Sequence, residues 1–248
     1  MSLAADYFRR LHEQIEILQS RSLESIQQAA QMCAQSLSSG GAIHIYDTGH
    51  LVSRELVNRA GGLAAYQSLT FDLTVNNPNA YRDRKGMQPK DDEDTIADLV
   101  KVVLDRSRVR QGDVLIIGTV SGKTAIAVEL AIQAIERKVQ VIGLTAVDYS
   151  SKLKSDHHSG LRLFEVADLV IDNAAPYGDG MMSLEGIDAP FCPASGLGAA
   201  AALWAMTAEL IEIMTREAKP PTVFHSINRP DGKELYEKSI ERFAELGY

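Results

Sequence analysis

Between positions 7 and 37, apolar residues recur at Phe8, Leu11, Ile15, Leu18, Leu23, Ile26, Ala29, Ala30 and Ala34. Steps of three and four place them on one stripe of an α-helix, with a break near Ser20. Gly40-Gly41 supplies a stop signal. The pattern then shortens. Residues 42–46 form a short run with β-branched positions that suits a buried strand, and helical spacing resumes over 51–59 until Gly61-Gly62 breaks it. A second short strand is expected at 63–66. Residues 71–91, with Asn76-Asn77-Pro78-Asn79 and mixed charges after it, read as a loop. A loop of that length in a compact domain is often functional.

From Thr95 the alternation is regular. It predicts a helix over 96–104, a strand over 114–117, a helix over 124–135 and a strand over 139–144. Residues 163–167 lead into a further strand at 169–171. An alanine-rich helix at 199–214 has the composition of a buried element. Pro220-Pro221 opens a tail that ends in an amphipathic helix over 234–246. Strands alternating with helices imply an α/β fold with a doubly wound parallel sheet. The expectation is one domain over 1–248, with a helical segment 1–39, a core 40–216 and a tail 217–248.

Length and charge narrow the partners. The chain has 248 residues, ordinary apolar (45%) and charged (23%) fractions, and a net charge of −8. That acidity argues against nucleic acid or an anionic membrane as partner. Any bound anion must be held by backbone dipoles and a few local side chains. Cys33 and Cys192 are far apart and lack CxxC spacing, so neither a disulfide framework nor a zinc ribbon is expected, and no metal or other cofactor is expected either. Without a signal-like N-terminal run, and with the longest apolar stretch (197–208) too short for a bilayer, the expectation is a soluble cytoplasmic protein.

Ligands of doubly wound folds collect beyond the carboxyl ends of the strands, so the residues after each strand carry the candidate chemistry. After the 114–117 strand comes Gly118-Thr119-Val120-Ser121-Gly122-Lys123-Thr124. Thr119, Ser121 and Thr124 offer hydroxyls, Gly122 permits a tight turn, and the next helix contributes free amides, so the stretch suits a phosphate. It lacks the glycine spacing of a Walker A loop. A Ser/Thr-rich helix cap is the plainer reading.

The first strand ends in Asp47-Thr48-Gly49-His50, followed by Ser53, Arg54, Glu55 and Arg59. Glu55 and Arg59 share a helix face, as a surface ion pair or as a carboxylate base beside an anion-holding arginine. His157 and His158 sit in a loop after the 139–144 strand, either as ordinary loop residues or as a general acid or base. Asp172-Asn173 and Pro176-Tyr177-Gly178-Asp179-Gly180 make an acidic, amide-bearing turn that suits sugar hydroxyls or no ligand at all.

Taken together, Thr119-x-Ser121-Gly122-x-Thr124 and the following Val141-Ile142-Gly143-Leu144-Thr145 resemble the phosphate loop and next strand of the sugar isomerase (SIS) domain family, phosphoheptose-isomerase-like branch. Arg59-Ala60-Gly61-Gly62-Leu63, His157-x-x-Gly160 and Asp172-Asn173-x-x-Pro176-x-Gly178-Asp179 resemble a bacterial subgroup of that family with no assigned reaction.

The resemblance implies a flavodoxin-like sheet, a phosphorylated sugar as ligand, and sites built where subunits of a homodimer or homotetramer meet. It gives Glu55 the role of catalytic carboxylate and Arg59 that of a substrate contact. Thr48, Gly49, His50, Ser53, Thr119, Ser121, Gly122, Lys123, Thr124 and Asp179 become candidate phosphate and sugar contacts. The family's histidine on the last core helix has no counterpart within 199–214, which leaves His157 or His158, with His50 and His225, for proton shuttling. The expected reaction is aldose–ketose isomerisation. The alternatives are a phosphosugar-sensing module without turnover and an etherase or lyase acting on an amino-sugar phosphate.

Overall fold

The computed structural model describes residues 2–49, 52–74, 76–86 and 93–248, without the side chains of Ser53, Asp83, Glu93 and Asp94. The candidates His50 and the Ser53 side chain therefore lie outside the described residues, as does part of the 71–91 loop.

Five strands form one sheet: β1 (Ile43–Asp47), β2 (Tyr66–Ser68), β3 (Val114–Gly118), β4 (Gln140–Thr145) and β5 (Leu169–Asp172). Their order is β2-β1-β3-β4-β5 and every pairing is parallel. This is the flavodoxin-like, doubly wound arrangement expected from the alternation. Side chains of a strand alternate between faces. Val114 and Ile116 accordingly join Ile43, Ile45, Ile142 and Leu144 in one core, while Leu115 and Ile117 join Val141 in the other. Both faces are buried, which is why the central strand β3 is apolar throughout instead of half polar. Each fully buried Leu or Ile contributes about 1.5–3 kcal/mol relative to exposure.

The helices are α1 (Leu3–Ile17), α2 (Leu23–Ser38), α3 (Val52–Leu56), α4 (Ala80–Arg84), α5 (Glu93–Arg106), α6 (Ala125–Glu136), α7 (Val147–Ser150), α8 (Leu163–Val166), α9 (Ser195–Arg216) and α10 (Gly232–Leu246). α2 packs on α9 to cover one face of the sheet, and α5 packs on α6 over the other. The break near Ser20 is a π-helical turn, Leu18–Ser22. There the Ser20 hydroxyl donates to the carbonyls of Glu16 (2.8 Å) and Ile17 (3.2 Å), and the Ser22 hydroxyl donates to Asp172 O (2.8 Å).

Four expectations shift. The 51–59 helix is described only as Val52–Leu56, and Asn58 just beyond takes a left-handed φ of 53°, which an asparagine tolerates. The second strand lies at Tyr66–Ser68, not 63–66, because Leu63 instead bridges antiparallel to Val223. A short antiparallel hairpin, β6 (Gly180–Met182) with β7 (Phe191–Pro193), was not anticipated. Finally, α9 runs 22 residues and is long and apolar enough to cross a bilayer, so the expected limit of the 197–208 run does not hold. Its apolar character has a core explanation, since Ala199, Ala202, Leu203, Met206, Leu210 and Met214 are buried in the main cluster.

Candidate functional site

Connections from β1 and β3 leave the sheet in opposite directions, so their loops splay apart and open a crevice at the carboxyl end. A cavity of about 500 Å³ lies there. Its walls come from the loops after β1, β3, β4 and β5 and from the start of α9. Of the candidates, Thr48, Gly49, Thr119, Ser121, Thr124 and Asp179 line it.

The loop after β3 is tied back by its carbonyls. Val120 O accepts from the Thr145 hydroxyl (3.0 Å) and Ala146 N (3.1 Å), Gly122 O from Leu163 N (2.7 Å), and Lys123 O from Asp156 N (2.9 Å). The amides of Val120, Ser121 and Thr124 have no acceptor among the described residues. Thr124 occupies the N-cap of α6 without capping it, and its Oγ1 is buried with no hydrogen-bond partner among the described residues. Buried polar atoms are nearly always paired, so this unpaired hydroxyl on a cavity-lining residue leaves the hydrogen bonding at the start of α6 incomplete.

Gly122 shapes this ledge without lining the cavity. Its φ is +60°, and a Cβ there would lie 2.7 Å from Ser150 Oγ. Lys123 does not reach the crevice wall; its ammonium pairs with the Asp156 carboxylate at 3.0 Å. Among the described residues, no Lys or Arg lines the cavity. A bound anion would be held there by amides, hydroxyls and the positive end of α6.

Two carboxylates in the wall serve the backbone. Asp47 accepts from Gly49 N (2.8 Å) and Val52 N (3.0 Å). Asp179, at a left-handed φ of 67°, accepts from Ser195 N (2.7 Å), Ala194 N (3.1 Å) and the Ser195 hydroxyl (2.8 Å). Asp179 thereby fixes the start of α9 against the crevice.

The remaining candidates sit elsewhere. Glu55 and Arg59 pair with each other at 3.2 Å, with side chains 30% and 52% exposed, outside the wall. His157 is buried behind α6, its Nε2 2.7 Å from Glu129 Oε2 and its Nδ1 2.8 Å from the Ser159 hydroxyl. The His158 ring lies 4.1 Å from that of His157, centroid to centroid. Neither histidine lines the cavity. Burial alone raises the Glu129 carboxyl, but hydrogen bonds from Gln133 and His157 outweigh it and hold it below the usual glutamate range.

Sequence reasoning missed the α9 side of the crevice, formed by Pro193, Ser195, Gly196 and Leu197, together with Tyr149. A serine and glycines directly before an apolar run are a helix-start signal, and could have marked it. It also missed Gln14, whose buried side-chain amide donates to Asn173 O (3.0 Å) and Ala194 O (3.1 Å) from the far end of the chain. Among the described residues, no three His, Cys, Asp or Glu side chains cluster so as to hold a metal ion. Both cysteines are free, and burial pushes the Cys33 thiol up to about 12.

Residues 6–146 match the SIS domain family. Over 242 residues the chain is 34% identical to a UPF0309 protein of Caldanaerobacter subterraneus subsp. tengcongensis, with 96% of each chain covered. A UPF0309 protein of Streptomyces coelicolor is 31% identical over 247 residues, covering 99% of this chain and 94% of the other. Among solved structures, a phosphoheptose isomerase from Francisella tularensis superimposes with a TM-score of 0.50 at 16% identity, over 84% of this chain and 95% of that one. That likeness concerns the fold.

Proposed function

Since the chain belongs to the SIS domain family, we propose that its crevice binds a phosphorylated sugar, with the phosphate on the ledge formed by the amides of Val120, Ser121 and Thr124 and the hydroxyls of Thr119, Ser121 and Thr124. The observation that carries this reading is the buried, unpartnered Thr124 hydroxyl at the N-cap of a 12-residue helix. Phosphate oxygens accept from such donors and gain from the helix dipole. The sugar extends toward Thr48, Gly49, Asn173 and the start of α9, where polar groups and Tyr149 form the opposite wall. Titration with a panel of sugar phosphates, followed by calorimetry, tests this. Equal affinity for a sugar phosphate and its unphosphorylated parent would remove the phosphate ledge from the account.

Aldose–ketose isomerisation is the second reading. It is favoured by Glu55, which lies three residues after crevice-lining Val52 on the same short helix and beside Arg59. Glu55 would remove the proton next to the sugar carbonyl while Arg59 steadies the anionic ligand. This needs the pair to meet a crevice from which one chain alone keeps it apart. A second copy, in a homodimer or homotetramer, would bring it there. Exposed Leu3, Phe8, Leu184 and Ile187 supply apolar surface for such an assembly. Proton exchange from solvent deuterium into the sugar carbon is the assay. A Glu55→Gln variant exchanging at the full rate would end the role given to Glu55. Tight binding without exchange on any sugar phosphate would favour a sensing module in the cytoplasm, and release of lactate from a muramic acid phosphate an etherase.

A further inference from the structure

Residues 155–163 lie behind the phosphate ledge and reach it at two points. Asp156 N donates to Lys123 O (2.9 Å) and Leu163 N donates to Gly122 O (2.7 Å). These bonds hold two carbonyls at the turn of the ledge away from the crevice. The segment is itself held by a buried network. Ser155 Oγ donates to Leu161 O (2.6 Å) and accepts from His157 N (3.0 Å), which closes residues 155–161 into a compact loop.

His157 joins that loop to the helix that the ledge opens. Nε2 lies 2.7 Å from Glu129 Oε2, a carboxylate oxygen that only accepts, so Nε2 donates, while Nδ1 faces Ser159 N (3.2 Å) and the Ser159 hydroxyl (2.8 Å). Glu129 lies on α6, and its other oxygen accepts from Gln133 Nε2 (2.7 Å), which also donates to Ala97 O on α5 (2.9 Å). The side chains of His157 and Glu129 are 3% and 9% exposed. One buried hydrogen bond thus fixes the spacing between α6 and the segment that shapes its N-terminal loop.

We propose that His157, through Glu129, is a positioning residue for the anion ledge: it sets the direction of the Val120 to Thr124 amides without touching the ligand. This rests on the ledge being the phosphate site, and it gives the buried histidine a role other than acid–base chemistry. A pair that held only the fold would affect stability alone. The structure contains a matched pair of that kind, His44 with Asp113 at 3.0 Å, equally buried and at the opposite end of the sheet.

The test uses inorganic phosphate as probe, with affinity read by calorimetry and stability by thermal melting on the full chain. His157→Ala is expected to weaken phosphate binding by about tenfold or more, as loss of an orienting partner commonly does. His157→Gln, whose amide can still donate to Glu129, is expected to stay within about threefold of wild type. His44→Ala is expected to lower the melting temperature but leave phosphate affinity unchanged. Should His157→Ala not fold, Ser159→Ala removes the hydroxyl 2.8 Å from Nδ1, which is also the acceptor of Leu161 N, while the Ser159 backbone N–H stays on Nδ1; it is expected to weaken phosphate binding in the same direction by a smaller factor. If His157→Ala or Ser159→Ala binds phosphate as wild type does, or if His44→Ala weakens it equally, the positioning role is overturned while the ledge stands. If wild type itself fails to bind phosphate, the reading of the ledge falls, and this proposal with it.

Discussion

The two ends of the parallel sheet handle their polar groups in opposite ways. At the amino end, the Asp113 carboxylate accepts from Ala42 N (2.9 Å), Arg110 N (2.7 Å) and His44 Nε2 (3.0 Å), and the Ser36 hydroxyl donates to Gly112 O (2.8 Å). At the carboxyl end, the hydroxyls of Thr124 and Ser150 are buried with no partner among the described residues, and the loop amides of Val120, Ser121 and Thr124 have no acceptor among them. Leaving a buried polar group unpaired costs about 1–3 kcal/mol. The fold closes the polar groups at one end of its sheet and leaves those at the other end incompletely paired, beside the cavity. The difference between the two ends supports the proposed anion ledge more than either end does alone.

The largest effect should come from breaking the closed end. Asp113→Ala strands His44 and two backbone amides, and should cost about 3–5 kcal/mol in urea unfolding with little change in phosphate affinity. A loss of affinity without a loss of stability would invert the comparison.

Gly122→Ala comes next. It forces a Cβ into a left-handed turn 2.7 Å from Ser150 Oγ. It should cost about 1–3 kcal/mol, measured by thermal or urea denaturation, and it should also weaken phosphate binding.

Thr124→Val sharpens the comparison from the open side. It removes the unpaired hydroxyl at nearly constant volume, so stability should hold or rise slightly. Phosphate affinity should drop by about tenfold, corresponding to about 1.4 kcal/mol.

The smallest effect concerns acid. Glu129 has a folded pKa below its unfolded value, so its contribution to stability is present above the ordinary glutamate range. That contribution is lost as pH falls through the folded value, since the unfolded chain then binds the extra proton more readily. Melting temperature measured from neutral pH downward should fall less steeply for Glu129→Gln than for wild type. Parallel curves would remove the depressed carboxyl from the acid response.

How much of this was legible in the sequence depends on whether the signal is local. The unit built around β3, α6 and β4 was expected at 114–117, 124–135 and 139–144, and is found at Val114–Gly118, Ala125–Glu136 and Gln140–Thr145. Burial on both faces writes these elements as apolar runs with hydroxyls and glycine between them, so Thr119, Ser121 and Thr124 could be placed from chain order alone.

The other half of the crevice depends on distant contacts. Asp179 reaches Ser195 only because the β6–β7 hairpin folds back. Gln14 meets Asn173 across 159 residues. His157 read equally well as an ordinary loop residue or as a general acid or base, and its partner Glu129 lies 28 positions away on the outer helix layer. No periodicity encodes such a pairing, so the sequence alone does not separate a histidine bonded to a helix from one free to perform chemistry.

The π-helical turn at Leu18–Ser22 has a consequence for how this surface can vary. An α-helix advances about 100° per residue, so removing one residue from the turn would swing all of α1 by that angle about its axis. Gln14 would leave the carbonyls of Asn173 and Ala194, and Phe8, now 67% exposed, would face a different neighbour. The turn acts as an indexing joint: a single-codon change there can re-aim the outer half of the N-terminal rod while α2 keeps its seat on the sheet.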